Sequence, residues 1–313
     1  MSFAAMMLVA MVLDSLIGWP ARLYAVIGHP VTWIGALIRW LDLSLNHDSA
    51  RERSRRMAGM ATALVVIGVT GGVAWALQCA LPAGWPGIVI GGVLAWPLLA
   101  LRSMYVHVAA VISPLQSNDL EQARFAVSMI VGRNAAVLDQ AGVARAAMES
   151  LAENTSDGIV APLFWGAILG LPGIAAYKAI NTLDSMIGHR TPRFEAFGWV
   201  SARIDDLVNL IPARLTGAVF ALVSTAPRKA VNVMWRDAGL HRSPNAGWPE
   251  AAMAAGLGVR LSGPRVYADR VAEEPWVNAD APDPTPADLQ RGLALYVRAM
   301  FVLGAALLGL ALV

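Results

Sequence analysis

Cysteine is almost missing. Cys79 is the only one in the chain, which excludes an intrachain disulfide framework and any cysteine-based metal site. Charge is scarce as well. Asp, Glu, Lys and Arg make up 15% of the 313 residues, against about a quarter in a soluble globular chain. From Met57 to Leu101 there is no Asp, Glu, Lys, Arg or His. That run has room for two spans of about 20 residues. They would be joined at Leu81-Pro82-Ala83-Gly84-Trp85-Pro86, a turn signal with an interfacial Trp. A large net charge is also missing: at +2, bulk electrostatics give no argument for nucleic acid. Several chemistry-bearing motifs are absent too: GxxxxGKS/T, GxGxxG with an acidic partner, HExxH and GxSxG. Any use of nucleotide therefore needs a non-Walker site.

What is present is apolar. Hydrophobic residues are 57% of the chain and the mean hydropathy is +0.54. The expected fold is all-α: a polytopic integral membrane protein with broken or re-entrant helices and cytoplasmic helical segments, in one membrane-embedded domain over residues 1–313. Apolar segments are expected at about 1–17, 57–80, 87–101, 158–177, 207–227 and 292–313, the last with Arg298 snorkelling. Cytoplasmic segments are expected at about 18–56, 102–157, 178–206 and 228–290. The first run has no basic leader or small-residue cleavage site, and Asp14 interrupts it, so it reads as a retained membrane segment. Arg51, Arg53, Arg55 and Arg56 precede the long uncharged run and fix it as positive-inside; they read as topology rather than as a phosphate site. Pro162, Gly166, Gly170, Pro172 and Gly173 break the run from Gly158 to Tyr177, leaving a full crossing and a re-entrant loop both open. Leu207 to Pro227 poses the same choice, and a shared cytoplasmic face for the polar clusters is preferred.

Two amphipathic helices are expected between Ser117 and Asn154. The first starts at Asn118-Asp119-Leu120-Glu121, with Phe125, Met129 and Ile130 on one face. Gly132 and Asn134 break it, and the second runs from about Val137 to Ala152. Residues 278–286 form an acidic, proline-rich linker, after which Thr285 or Asp288 could cap the last helix. Leu13-Asp14-Ser15-Leu16-Ile17-Gly18 returns as Leu183-Asp184-Ser185-Met186-Ile187-Gly188, a match too short to establish a duplication.

The polar residues crowd around the broken apolar run. Glu149 and Glu153 share a helical face, and Asp157 would follow close to it if the helix continued. Three carboxylates on one edge repel unless a cation sits among them, and hard oxygens suit Mg²⁺. A solvated helix face explains them equally well. Lys178, Asn181, Asp184 and Ser185 recur at three- and four-residue spacing, and the loop after them carries Arg190 and Arg193, forks suited to phosphate or carboxylate. A plain positive-inside flank needs no Asn and Asp among its cations, which favours a site. Ser201-Ala202-Arg203-Ile204-Asp205-Asp206 leads to Asn209 and Arg214; one aspartate could bind a metal while the other pairs with Arg203. His241 and Asn245 lie in a rigid loop before the small-residue helix Ala251–Gly256, whose N-terminus offers N–H groups to an anion. A lone His is as readily structural.

These stretches, read as ESLAENTSDGIVAPLFW, NTLDSMIGHR, FGWVSARIDDLVNLIPARLT and HRSPNAGWPEAAMAAGLGVRLSGP together with Asp14, Gly18, His29 and Pro30, resemble the adenosylcobinamide-phosphate synthase family of cobalamin biosynthesis (CbiB/CobD). The resemblance covers roughly residues 10–300. One departure is local: the family usually has Gly after Tyr267, where this chain has Ala268-Asp269. The resemblance implies a multi-pass ligase of the inner membrane whose active site faces the cytoplasm. It would join adenosylcobyric acid to (R)-1-aminopropan-2-ol O-phosphate, or to ethanolamine phosphate, and consume ATP. ATP would activate the corrinoid carboxylate, and transfer of its phosphoryl group needs Mg²⁺ and cationic clamps. On that basis Glu149, Glu153, Asp157 and Asp205 or Asp206 would hold Mg²⁺–ATP. Arg190, Arg193 and Arg203 would hold phosphates, with Lys178, Asn181, Arg214 and Asn245 also binding substrate. Asp184 or His241 would take the amine proton, with Glu153 as a further catalytic carboxylate. Membrane lipid is a partner and nucleic acid is not; self-association and association with other cobalamin-pathway enzymes are both compatible. The rivals are a transporter with a midplane site and a scaffold that tethers corrinoid enzymes. The few spans argue against the first and the density of Asp, Asn, His and Arg against the second. A CDP-alcohol phosphotransferase would need DGxxAR…DxxxD spacing, which is not found.

Overall fold

A computed structural model describes residues 1–266 and 271–313; the departure from the family after Tyr267 lies outside the described residues. It is 76% helical. From the N-terminus come α1 (Phe3–Ile17), α2 (Ala21–Ile27), α3 (Pro30–Leu45) and the long α4 (Glu52–Cys79). α5 (Trp85–Ala95), α6 (Leu101–Gln116), α7 (Leu120–Ser128) and α8 (Gln140–Thr155) follow. A π turn over Ser156–Val160 leads to α9 (Ala161–Leu169) and α10 (Leu171–Ile187). Next are α11 (Trp199–Val208), α12 (Leu210–Val223), α13 (Pro227–Asp237) and α14 (Gly247–Leu257). Four two-residue strands, β1 (Leu261–Ser262), β2 (Arg265–Val266), β3 (Val271–Ala272) and β4 (Trp276–Val277), precede the closing α15 (Pro286–Leu312). β1 pairs antiparallel with β4, and β2 with β3.

The all-α expectation holds. Among the described residues, four stretches are long and apolar enough to cross a membrane: Ala21–Leu45, Glu52–Cys79, Trp85–Gln116 and Pro286–Leu312. α11 and α12 together would make a fifth, broken span or a re-entrant loop. Ala21–Leu45 departs from the sequence reading, which assigned it to the cytoplasm. Its most apolar stretch still includes Arg22 and His29 and has a hydropathy of 1.2, against 1.9 for Glu52–Cys79. α1 is apolar but has only 15 residues. Start signals were well marked. The Asp119 side chain accepts from the Gln122 amide at 3.0 Å, and Asp139 from Gly142 at 2.7 Å. Thr285 and Asp288 cap α15 reciprocally, at 2.9 and 3.3 Å. The expected apolar face of α7 is not its core face: Phe125 and Met129 are exposed, while Ala123 and Val127 are buried. Small residues let the helix approach closely, and the larger ones are left outside.

The chain divides into two compact units. Unit 1 comprises residues 1–100, 161–209 and 306–313, and unit 2 comprises residues 101–160 and 210–305. The core of unit 1 gathers Ile34, Ile38 and Leu41 of α3, Ala63 and Val66 of α4, Ala179, Leu183 and Ile187 of α10, and Phe197. α4 can approach this core because residue 59 is Gly: a β-carbon there would lie 1.7 Å from the Phe197 carbonyl oxygen. In unit 2, α14 is buried from Pro249 to Leu257, a near-continuous run of Ala, Gly and Met that α12 and α13 clasp. The acidic linker is not loose. Asp283 accepts from Arg260 at 2.6 and 3.0 Å and from Arg145 at 3.1 Å. Both guanidiniums stack on Trp276, at 4.1 and 4.7 Å from its ring centre.

Gly59→Val forces a side chain against backbone that cannot move aside. Overpacking of this kind costs about 1–3 kcal/mol, so the purified protein in detergent should melt at lower temperature than the parent; an unchanged midpoint would contradict the packing described. A second expectation concerns acid. The hydrogen bond from Arg260 holds the Asp283 carboxyl below its ordinary value, and that from Arg236 does the same for Asp237. Stability from both is complete above the unfolded carboxylate value of about 3.9 and is lost as pH falls through the lower folded values. Asp283→Asn should therefore flatten the acid side of a pH–stability curve, measured by circular dichroism.

Candidate functional site

The residues singled out from the sequence fall into two groups, one in each unit. In unit 1 they occupy the end of α10, the loop after it, and α11. Asp184 sits one turn before the end of α10, and the Gly188 amide donates to its carbonyl at 2.7 Å. Burial pushes its carboxyl above the ordinary carboxylate value; His189 and Arg203 oppose the rise and Asp206 adds to it. Asp184 is thus a proton acceptor tuned toward neutrality, set among cations. Lys178 lies in the same helix within electrostatic reach of His29. Ser185 donates to the Asn181 carbonyl at 2.8 Å, and His189 Nε2 reaches the Ser185 carbonyl at 2.8 Å.

Of the two aspartates of α11, one pairs with Arg203 as expected: Asp206, at 3.1 Å. Asp205 points inward, and its carboxylate accepts from Asn209 at 3.0 Å. Asn209 in turn accepts from the Tyr177 hydroxyl at 2.9 Å. Tyr177 was read only as the end of an apolar run; its hydroxyl is the missed member of this buried chain. Arg193 has a partner of its own: it donates to Asp42 at 2.8 Å. Asn46 and Arg55 both donate to the Arg193 carbonyl. Arg55, read as a topology signal alone, also holds this loop in place. Arg190 is exposed in the same loop.

In unit 2 the helix carrying Glu149 and Glu153 does not continue through Asp157, because the π turn starts at Ser156. An inserted π turn changes the angular progression, and such turns are frequent at functional sites. Glu149 is buried and committed. It pairs with Arg133 at 2.6 Å and accepts from the Ser262 amide at 2.8 Å. Glu153 is exposed and Asp157 half-buried. Arg133 was not singled out; the only sequence signal for it was a cation between two helices.

His241 Nδ1 accepts from the Ser243 amide at 3.0 Å. The neutral ring must therefore carry its proton on Nε2, which faces a carboxylate oxygen of Glu250 at 3.6 Å. Both residues are buried, on a loop and on α14. Glu250 is the one carboxylate in a helix of small residues, and it had been given no role. The loop is knitted by Ser243, which accepts from Asn245 and Ala246 at 3.2 Å each. Arg214 stacks on Trp248 at 4.3 Å. Among the described residues, no three His, Cys, Asp or Glu side chains gather as a metal cage. An ion held by one or two carboxylates plus substrate phosphates does not need one.

The fold and these polar groups define a helical membrane protein whose ionisable residues are collected beside apolar spans, the arrangement expected of a functional site rather than of a passive anchor. Comparison with known sequences makes this specific. The family described as CobD/Cbib protein matches residues 7–296. A cobalamin biosynthesis protein CobD of Rhodobacter capsulatus is 69% identical over 96% of this chain and 95% of its own. Proteins of the same name from Brucella suis and a Sinorhizobium species are 45% and 42% identical, over 96% and 97% of both chains. No solved structure matches. The chain belongs to the CobD/CbiB family of cobalamin biosynthesis, which points to an enzyme of that pathway.

Arg133→Ala would leave Glu149 buried without its cation. Breaking a buried pair this way costs about 3–5 kcal/mol. The variant should be lost to degradation or melt far below the parent, whereas replacing both partners by Met should be much milder. Equal stability of the single and double variants would contradict the pairing.

Proposed function

We propose that the protein is an ATP-dependent amide-forming ligase that joins adenosylcobyric acid to (R)-1-aminopropan-2-ol O-phosphate, or to ethanolamine phosphate, giving adenosylcobinamide phosphate. The observation that carries this reading is Asp184. It is a half-buried carboxyl with raised proton affinity, within electrostatic reach of His189 and Arg203. Amide formation from an amine needs such a base, and the phosphate of the amine needs such cations.

A carboxylate is a poor acyl donor. In the proposed sequence its oxygen takes the γ-phosphoryl group of ATP, ADP leaves, and an acyl phosphate results. The amine then attacks the acyl carbon, inorganic phosphate leaves with the carboxylate oxygen, and the amine proton passes to Asp184. His241, oriented by Ser243 and facing Glu250, is the alternative acceptor. Mg²⁺, where bound, supplies charge neutralisation on the transferring phosphoryl group. Glu153 and Asp157 are the carboxylates of α8 and its π turn with access to solvent, and they suit that ion better than Glu149, which Arg133 neutralises. Asp205 or Asp206 is the corresponding choice in unit 1. Arg190 and Arg203 would hold phosphate. Arg193, Asn181, Asn245 and Arg214 would position substrate or its loops. The positive-inside rule, applied to the four arginines from Arg51 to Arg56, supports a site facing the cytoplasm from the inner membrane.

Purified protein in detergent, given adenosylcobyric acid, aminopropanol phosphate, ATP and Mg²⁺, should yield the amide by mass spectrometry, and none without ATP. Flux of a corrinoid into proteoliposomes without amide would favour a transporter instead. Asp184→Asn should lower kcat/KM by roughly 100-fold or more, the usual scale for a lost general base. With Asp184 as base, the parent's kcat/KM should fall on the acid side with an apparent pKa above the usual carboxylate range, because burial raises the carboxyl. A fall only near about pH 4 would assign the base elsewhere.

A further inference from the structure

The six-residue echo between Leu13–Gly18 and Leu183–Gly188 is too short to carry weight alone. The structure extends it. At the same spacing of 170 positions, Tyr24 corresponds to Phe194, Gly28 to Gly198, Ile34 to Ile204 and Leu37 to Leu207. The backbone repeats as well. α1 ends with the Gly18 amide on the Asp14 carbonyl at 2.9 Å, and α10 with Gly188 on Asp184 at 2.7 Å. Further on, Gly28 donates to Tyr24 at 2.8 Å and Gly198 to Phe194 at 2.7 Å. A helix then starts within two residues in each case, α3 at Pro30 and α11 at Trp199. The copies have diverged at the turn itself, where φ is +62° at Gly18 and −74° at Gly188.

The two helices also start at one end of unit 1. A β-carbon on Gly170 would lie 3.1 Å from the Phe3 ring, and one on Gly166 would lie 2.2 Å from Met7 Sδ. α1 therefore starts beside the end of α9 and runs against it. α10 starts at that same end: the Leu171 amide donates to Gln78 Oε1 at 2.7 Å. It then runs back along α4, passing Gly71, whose β-carbon would lie 3.7 Å from that of Ala176. Asp14 lies eleven residues beyond Phe3, and Asp184 thirteen beyond Leu171. At 1.5 Å per residue that is about 17 and 20 Å, so the two carboxylates lie at similar distances along helices that start together. Neither helix has a basic residue in its last turn. A carboxylate beside the negative end of a helix costs a few tenths of a kcal/mol to about 1 kcal/mol.

We infer that residues 3–38 and 173–208 are two copies of one structural unit with the same orientation in the membrane, and that Asp14 is a second site carboxylate on the side where Asp184 lies. The part concerning activity rests on the ligase reading; the part concerning orientation rests on the fold alone. Asp14 is buried, so its role is that of a positioning residue.

The orientation is tested at the exposed neighbours Ser15 and Ser185. Each is changed to Cys in a Cys79→Ser background and labelled with a membrane-impermeant maleimide. Right-side-out cells and inside-out vesicles are compared, and detergent-solubilised protein sets full labelling. Both positions should react from one and the same side. Reaction from opposite sides, or of either position from neither side, would overturn the inference. For the activity, Asp14→Asn should lower kcat/KM by roughly 100-fold or more, with Ser15→Cys labelling unchanged, and Asp14→Glu should recover part of it. A folded Asp14→Asn protein with full activity would remove Asp14 from the site while leaving the repeat standing. Parent protein that forms no amide would defeat the ligase reading without touching the labelling result.

Discussion

An ion cannot be left alone among apolar helices. Removing a charge from water without a partner costs several kcal/mol, and this chain is too poor in charge to surround each ion with many others. Its answer is the same in both units: a carboxylate, a guanidinium and a backbone group closed into one small circuit. In unit 1, Arg193 meets Asp42 while Asn46 and Arg55 take the Arg193 carbonyl. In unit 2, Arg133 meets Glu149, whose other oxygen takes the Ser262 amide. Asp283 does the same between Arg145 and Arg260. Each circuit joins segments far apart in sequence, so the loops that carry polar chemistry are fastened by paired ions, of which Arg133 and Glu149 are the buried pair.

The circuits also divide the polar residues by role. Those within a closed circuit, such as Glu149 and Arg193, have their charge neutralised and serve best as supports. Those with accessible or poorly compensated charge are better placed to meet substrate. Asp184 belongs to the second kind, since burial outweighs its cations. Glu153 and Arg190, both exposed, belong there too.

The helices were legible because apolar runs and caps are local signals. Asp119 and Thr285 mark their starts in the sequence and do so in the structure, whereas the helix expected from about Val137 starts at Gln140, capped by Asp139. Ala21–Leu45 was read as cytoplasmic because Arg22, Arg39 and Asp42 recur along a stretch of only moderate hydropathy. The π turn at Ser156 was not legible at all, since one inserted residue leaves no compositional trace. Of the site, the pairing of Asp206 with Arg203 and of Asp205 with Asn209 could be read from three- and four-residue spacing. The partners of Glu149 and Arg193 could not, because Arg133, Ser262 and Asp42 reach them across loops. Tyr177 and Glu250 were hidden for a different reason: each is a single polar group in an otherwise apolar or small-residue helix, where composition predicts only packing.

α4 has a further consequence. Arg56 stacks on Trp199 at one end, 5.3 Å from the ring centre, and Trp75 is exposed near the other. About 29 Å of helix separates them at 1.5 Å per residue, close to the roughly 30 Å hydrocarbon thickness of a bilayer. Aromatic and arginine anchors at both ends fix how far such a rod can tilt. The spacing of these anchors thereby matches α4 to lipid of about that thickness.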